Sequence, residues 1–336
     1  MKHFTSILFL MLCTVFVSQA QLNVLYVLDT DIDSTGNANL TAALTNSGCN
    51  FTTFDAATDS VSPTFSTDMS DKDLVIWYTG SNGVGLQLWA GADTINTELY
   101  QYLNNGGSLW VIGNDFLYDL YDAPPVYFTP TDQASVLFGI DSYDVQSYGS
   151  DSNTGVSEMD VVSGQSITAQ SPLTFIWATL WWADGVTPAS GTQAVYEMGP
   201  GSYALSGAVS GTYYDNSVYK VLAYYFNAGV LGTQTSVDQA VKDVIDFFQT
   251  TGVPEQASAQ SLLLFPNPVQ DELHMFWSGR QAPQHMRIMD ASGRIVREHT
   301  LAPHTSTVNM RDLASGVYHV QVTLEDGQTV GKTLIR

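Results

Sequence analysis

The chain has 336 residues, 44% of them apolar, and carries 33 Asp and Glu against 11 Lys and Arg, a formal net charge of -22. That length and apolar content can fill a sizeable core. The acidic balance disfavours nucleic acid and anionic lipid as partners, because both need basic protein faces. The imbalance is local. Residues 21–255 hold 26 acidic side chains against Lys72, Lys220 and Lys242, whereas 256–336 hold seven of each sign.

Lys2 and His3 form a short polar start, and residues 4–17 are mostly apolar. Ser18-Gln19-Ala20 then puts small residues at the two positions a signal peptidase reads. Residues 1–20 therefore predict a cleavable secretory signal peptide, with the mature chain starting at Gln21. No later run approaches the roughly twenty apolar residues of a membrane helix, so no transmembrane segment is expected in the mature chain. Cys13 leaves with the leader. Cys49 is then alone, which excludes an intrachain disulfide.

Residues 21–254 predict one α/β passenger domain. Asn23–Leu28, 74–78 and 108–112 are near-continuous apolar runs, as in strands buried on both faces. Between them, 39–47 reads as a helix stopped by Gly48, and 51–54 as a second strand. Asp93 is placed to cap a helix with Ile95, Leu99, Tyr102 and Leu103 on one face, stopped by Gly106-Gly107. The alternation predicts a three-layer, flavodoxin-like parallel sheet. Residues 124–192 read as a long insertion rich in Asp, Ser, Gly and aromatics. A strand at 219–226 and a helix opened by a Ser236/Gln239 capping box follow. The polar stretch 255–260 is a linker and a plausible place for processing.

Three segments carry a resemblance. Val24-Leu25-Tyr26-Val27-Leu28-Asp29, Asp73-Leu74-Val75-Ile76-Trp77-Tyr78-Thr79-Gly80 and Tyr102-Leu103-Asn104-Asn105-Gly106-Gly107-Ser108-Leu109-Trp110 together resemble the class I glutamine amidotransferase-like superfamily. The resemblance implies a nucleophile elbow after the 108–112 strand. Gly113-Asn114-Asp115-Phe116 stands there instead of a catalytic Cys. Residues 21–254 also contain no His. A Cys–His or Ser–His pair cannot be built, since the nucleophile needs an adjacent base, and a His- or Cys-based zinc site fails likewise. The expectation is a passenger without catalytic activity, acting as a binding or surface module.

What remains at the carboxyl ends of the strands, where ligands usually bind, is oxygen chemistry. Asp29, Asp31 and Asp33, with Asp115 from the fourth strand, are candidate ligands for Ca²⁺, a hard cation that takes six to eight oxygens. The alternative is a solvated acidic loop with Asp capping the next helix. Asp31 and Asp115 are also a candidate carboxylate pair for a hydrolase acting on extracellular glycan or peptide. Trp177, Trp181 and Trp182, with Tyr213 and Tyr214, are candidates for a platform that stacks on sugar rings.

Residues 261–336 read differently. Seven short β-like runs, separated by turns such as Asp290-Ala291-Ser292-Gly293, predict a small all-β, Ig-like sandwich. Over Val317–Val322, Val317, His319 and Gln321 alternate with Tyr318, Val320 and Val322 at period two, one face wet and one dry. Four motifs occur in order: Leu264-Phe265-Pro266-Asn267-Pro268-Val269, Asp290-Ala291-Ser292-Gly293-Arg294-Ile295-Val296, Leu313-Ala314-Ser315-Gly316-Val317-Tyr318 and Lys332-Thr333-Leu334-Ile335-Arg336. They resemble the type A C-terminal sorting domain of type IX secretion cargo. Its motif positions here are Pro266, Asn267, Pro268, Gly293, Arg294, Gly316, Tyr318 and Lys332. The resemblance implies the type IX secretion machinery and its surface protease as partners. It also implies a route through the periplasm, and release from the cell or attachment to surface lipopolysaccharide.

Overall fold

A computed structural model describes residues 21–89, 96–251, 262–265, 269, 271–277, 283–301, 305–325, 327 and 329–336. The expected leader, the linker at 255–260, the Asp93 cap and Pro266-Asn267-Pro268 lie outside the described residues.

The first part of the chain alternates strand and helix: β1 (Asn23–Leu28), α1 (Ser34–Ser47), β2 (Asn50–Asp55), a single turn α2 (Ala56–Asp59), β3 (Leu74–Gly80), α3 (Thr97–Asn104), β4 (Ser108–Gly113) and α4 (Phe116–Tyr121). Period-two geometry sends alternate side chains of β1 and β3 into two cores. Val24, Tyr26, Ile76 and Tyr78 join one, while Leu25, Val27, Val75 and Trp77 join the other. Both faces are covered, so every position of β3 is buried.

α1 begins five residues before the predicted 39, because Asp33 accepts from Gly36 N at 2.8 Å and caps it there. Asn96 caps α3 through Leu99 N at 3.1 Å.

The insertion supplies β5 (Val126–Tyr127), α5 (Gln133–Phe138), β6 (Ile140–Gln146), β7 (Glu158–Val161), β8 (Leu173–Thr174) and β9 (Asp184–Pro188), and β10 (Gln193–Gly199) and β11 (Val209–Asp215) follow it. Then come β12 (Lys220–Tyr224) and α6 (Gln234–Thr251). Thr233, not Ser236, caps α6: its hydroxyl accepts from Ser236 N at 3.1 Å. Val237, Val241, Val244, Ile245 and Phe248 of α6 join the core that contains Leu40 and Leu44 of α1. Leu99 and Leu103 of α3, Phe116 of α4 and Phe138 of α5 belong to the opposite core.

The sheet is mixed, not the expected parallel one. β2-β1-β3-β4-β12 run parallel in that order, and β11, β10, β7 and β8 extend the sheet antiparallel beyond β12. β9, β6 and β5 branch from β11. The reason is connection length. β11 and β12 are joined by residues 216–219 alone, too few for the crossover that a parallel pair needs.

The tail forms a separate all-β region of two sheets. β13 (Leu262–Phe265), β14 (Glu272–Trp277) and β17 (Thr305–Asn309) make one. β15 (Pro283–Asp290), β16 (Ile295–Thr300), β18 (Val317–Leu324) and β19 (Thr329–Ile335) make the other, in the order β16-β15-β18-β19. Leu273 and Met275 from the first sheet and Ile288, Val320 and Val322 from the second share one core. β18 is dry at Tyr318, Val320, Val322 and Leu324, in the predicted phase.

The turn and late motifs have structural duties. Asp290 Oδ1 accepts from Ser292 N and Arg294 N, and Gly293 takes φ +82°, a left-handed conformation glycine adopts freely. Tyr318 donates its hydroxyl to Ala314 O at 2.6 Å. Gly316 and Arg336 exchange two backbone hydrogen bonds, which fixes the end of the final strand.

Candidate functional site

α1, which follows β1, packs in one core, and Leu86, Leu88 and Trp89, which follow β3, pack in the other, the arrangement that places a crevice at the carboxyl edge of an open sheet. Two aspartates after β1 organise this edge. Asp29 accepts from Trp77 Nε1 at 2.8 Å, Gln87 N at 3.0 Å and Leu88 N at 2.9 Å, so it fastens the 81–89 loop. Burial raises its pKa despite these donors. Asp119, on α4, holds the same loop through Gly85 N and Leu86 N.

Asp33 accepts at Oδ2 from Tyr78 Oη at 2.8 Å, Ser81 Oγ at 2.7 Å and Asn227 Nδ2 at 2.5 Å. Asn227 also donates to Ser81 Oγ at 2.8 Å. Its backbone N donates to Asn114 Oδ1, and Asn114 Nδ2 donates to Trp181 O at 3.1 Å. A continuous polar chain thus runs from the start of α1 to the tryptophan segment.

That segment closes a pocket of about 410 Å³. Ser81 and Asn114 line it from the sheet edge, and Trp177, Thr179, Trp181 and Trp182 from the insertion. Trp177 and Trp181 are each 49% exposed, whereas Phe175 and Leu180 are buried. Tyr148 packs against Trp181 with centroids 4.3 Å apart and against Trp182 at 5.0 Å. Hydrogen bonds between Ser147 and residues 180, 182 and 183 hold the two loops together. The tryptophan faces are therefore oriented before any ligand arrives. No charged side chain is among the described residues lining the pocket.

Asp115 begins α4 with φ +64°, at the strand-to-helix turn where the amidotransferase-like resemblance expects a nucleophile. Its carboxylate turns to Gln146 Nε2 at 2.6 Å, which also lies 3.0 Å from Asp184 Oδ1. Tyr143 donates to the same Asp184 oxygen at 2.9 Å, and Asp184 Oδ2 is buried without a partner. Burial pushes Asp115 up to about 6. Burial, and then the charge of Asp115, raise Asp184 well above the carboxylate range.

Of the predicted constellations, the tryptophans and the strand-end residues converge, and the carboxylate sets do not. Asp31 is exposed, while Asp29 and Asp33 spend their oxygens on the loop and the helix cap. Among the described residues, no three His, Cys, Asp or Glu side chains gather where they could hold a metal ion. Asp115 shares its donor with Asp184 rather than with Asp31. Tyr213 packs on Phe247 and Tyr214 on Tyr219, so β11 sends them into opposite cores, away from the platform. Sequence reasoning missed Tyr148, which no local pattern marks, and Asp184, whose signal was an acid set between Ala183 and Gly185-Val186. Cys49 is buried at the amino end of β2, the far edge of the sheet, and burial raises its thiol pKa.

The fold and site define an α/β region with an aromatic pocket, followed by an all-β tail. Residues 263–336 match the family model of the secretion system C-terminal sorting domain. The chain is therefore exported by type IX secretion, through the periplasm, to the cell surface or beyond. No helix of the described residues is long and apolar enough to cross a membrane. No curated protein matches the chain.

Similar solved structures include a β-galactosidase from Bacillus circulans sp. alkalophilus. It is 11% identical, covers 85% of this chain and 41% of its own, and has a TM-score of 0.43. The carbohydrate deacetylase Agd3 is 13% identical, with coverages of 84% and 38% and a TM-score of 0.44. PurLQS from Thermotoga maritima is 9% identical, with coverages of 68% and 99% and a TM-score of 0.37. The chain spans about two fifths of the length of the first two.

Proposed function

We propose that residues 21–254 form a passenger that the sorting domain delivers to the cell surface, where it binds glycan without turning it over. The observation that carries this reading is the pocket walled by Trp177, Trp181 and Trp182. Exposed indole faces pack on the C–H surface of sugar rings. Residues 1–20 serve as the signal peptide, 255–260 as the linker, and 261–336 as an Ig-like sorting sandwich. The parallel order β2-β1-β3-β4-β12 supports an amidotransferase-like plan that has lost its chemistry. The passenger has no His, and Cys49 sits at the wrong edge.

The test is binding of the full chain to a glycan array, followed by titration of the best saccharide. Trp177→Ala and Trp181→Ala should each weaken it roughly tenfold. Unchanged affinity in both variants sinks the reading.

One observation favours a second reading, a carboxylate-based hydrolase. Asp115 occupies the elbow position in a left-handed conformation, with Asp184 beside it. Against it, the Asp115 side chain faces Gln146 and does not line the pocket. Saccharide turnover abolished by Asp115→Asn would favour this second reading.

A further inference from the structure

The polarity of the pocket narrows its ligand, an inference that rests on the glycan reading of the same site. Ser81 is the hydroxyl where the sheet edge meets the tryptophans. Its proton is committed: Oγ lies 2.7 Å from Asp33 Oδ2, and a carboxylate can only accept. One lone pair is also engaged, by Asn227 Nδ2 at 2.8 Å. The remaining lone pair leaves Ser81 as an acceptor toward the pocket. Asn114 Oδ1 takes Asn227 N at 2.8 Å and keeps its second lone pair, so it too is an acceptor. One Nδ2 hydrogen is spent on Trp181 O.

Ser81 therefore asks for a donor from the ligand. An ionised carboxylate or sulfate has none to give. The pocket also offers no cation: its lining is uncharged, and residues 21–255 carry three lysines in all. An anionic ligand would have to leave water, enter the field of an acidic protein and find no counter-charge.

We infer that the pocket takes a neutral sugar ring, stacked on Trp177 and Trp181, with one ring hydroxyl donating to Ser81 Oγ. Uronates, sulfated sugars and phosphorylated lipopolysaccharide cores are rejected. The polar chain Asp33–Ser81–Asn227–Asn114 is then a positioning device that fixes which way the serine proton points.

The experiment is calorimetric titration of the full chain with neutral gluco-, manno- and galacto-oligosaccharides and with uronate oligosaccharides of equal length. The neutral series should bind at least tenfold tighter. For the best binder, Ser81→Ala should lose about tenfold, the worth of one hydrogen bond. The deoxy analogue lacking the donor hydroxyl should lose the same against unmodified protein, and nothing further against Ser81→Ala. The deoxy comparison needs no variant, so it stands even where Ser81→Ala fails to fold. Equal affinity for uronates, or deoxy analogues that all bind within twofold of the parent sugar, overturns the inference while leaving a glycan site. If no saccharide binds at all, the glycan reading falls and takes the inference with it.

Discussion

At the scale of single residues, the acids of this chain do different work. Asp29 and Asp33 look alike in sequence, two carboxylates in one acidic loop, yet each is consumed by specific donors. A loop of alternating Asp suits a cation and a helix cap equally well, and only the positions of Trp77, Tyr78 and Asn227 decide between them. Asp115 is different. Burial holds it at about 6, above an unfolded carboxyl near ~4. The folded chain thus holds more protons than the unfolded chain between those values. The stability this group contributes is complete below about pH 4 and is lost as pH rises through about 6. The span corresponds to about 3 kcal/mol. Asn at this position keeps an oxygen for Gln146 and does not titrate. Urea unfolding of Asp115→Asn against the unmodified chain should therefore show a difference that moves in the variant's favour from pH 4 to pH 7. A difference flat with pH would contradict the buried setting of this carboxyl.

At the scale of elements, the apolar runs of β1, β3 and β4 were legible because burial on both faces writes itself into consecutive residues. The start of α1 was not, since residues 34–38 offer no apolar stripe and the signal is one side-chain bond from Asp33. The pocket was legible only in halves. Ser81 and Asn114 stand directly after strands, where ligands usually bind, and the tryptophans were marked by their type. Their meeting depends on the insertion folding back across the sheet edge, which no local pattern encodes.

The 81–89 loop is the element most dependent on single groups. Removing Asp29 leaves the Trp77 indole N–H and two amides without their acceptor. Asp29→Ala should cost about 3 kcal/mol, and limited proteolysis should then cut first between residues 81 and 89. An unchanged cleavage pattern would show that the Asp119 contacts alone hold the loop.

At the scale of the whole molecule, the chain is two electrostatic bodies in series. Residues 21–255 are strongly acidic, and 256–336 carry equal numbers of each sign. The sorting role was legible because three of its four motifs sit on a turn, a tyrosine hydroxyl and a terminal strand that each have a fixed structural duty. Deleting residues 261–336 should leave the rest of the chain in the periplasm, measured by fractionation and immunoblotting. Normal appearance outside the cell would overturn the delivery route.

The seven tryptophans also divide the molecule optically. Trp77, Trp89 and Trp110 are sealed in the α/β core, Trp177 and Trp181 are half open to solvent at the pocket that Trp182 also lines, and Trp277 belongs to the tail sequence. Sealed indoles emit to the blue and escape aqueous quenchers, whereas solvated ones emit to the red and are quenched. A saccharide settling on the pocket should shield the red population and leave the blue one untouched, while unfolding should do the reverse. The protein thus carries two built-in spectral reporters, one for occupancy and one for integrity, without any attached dye.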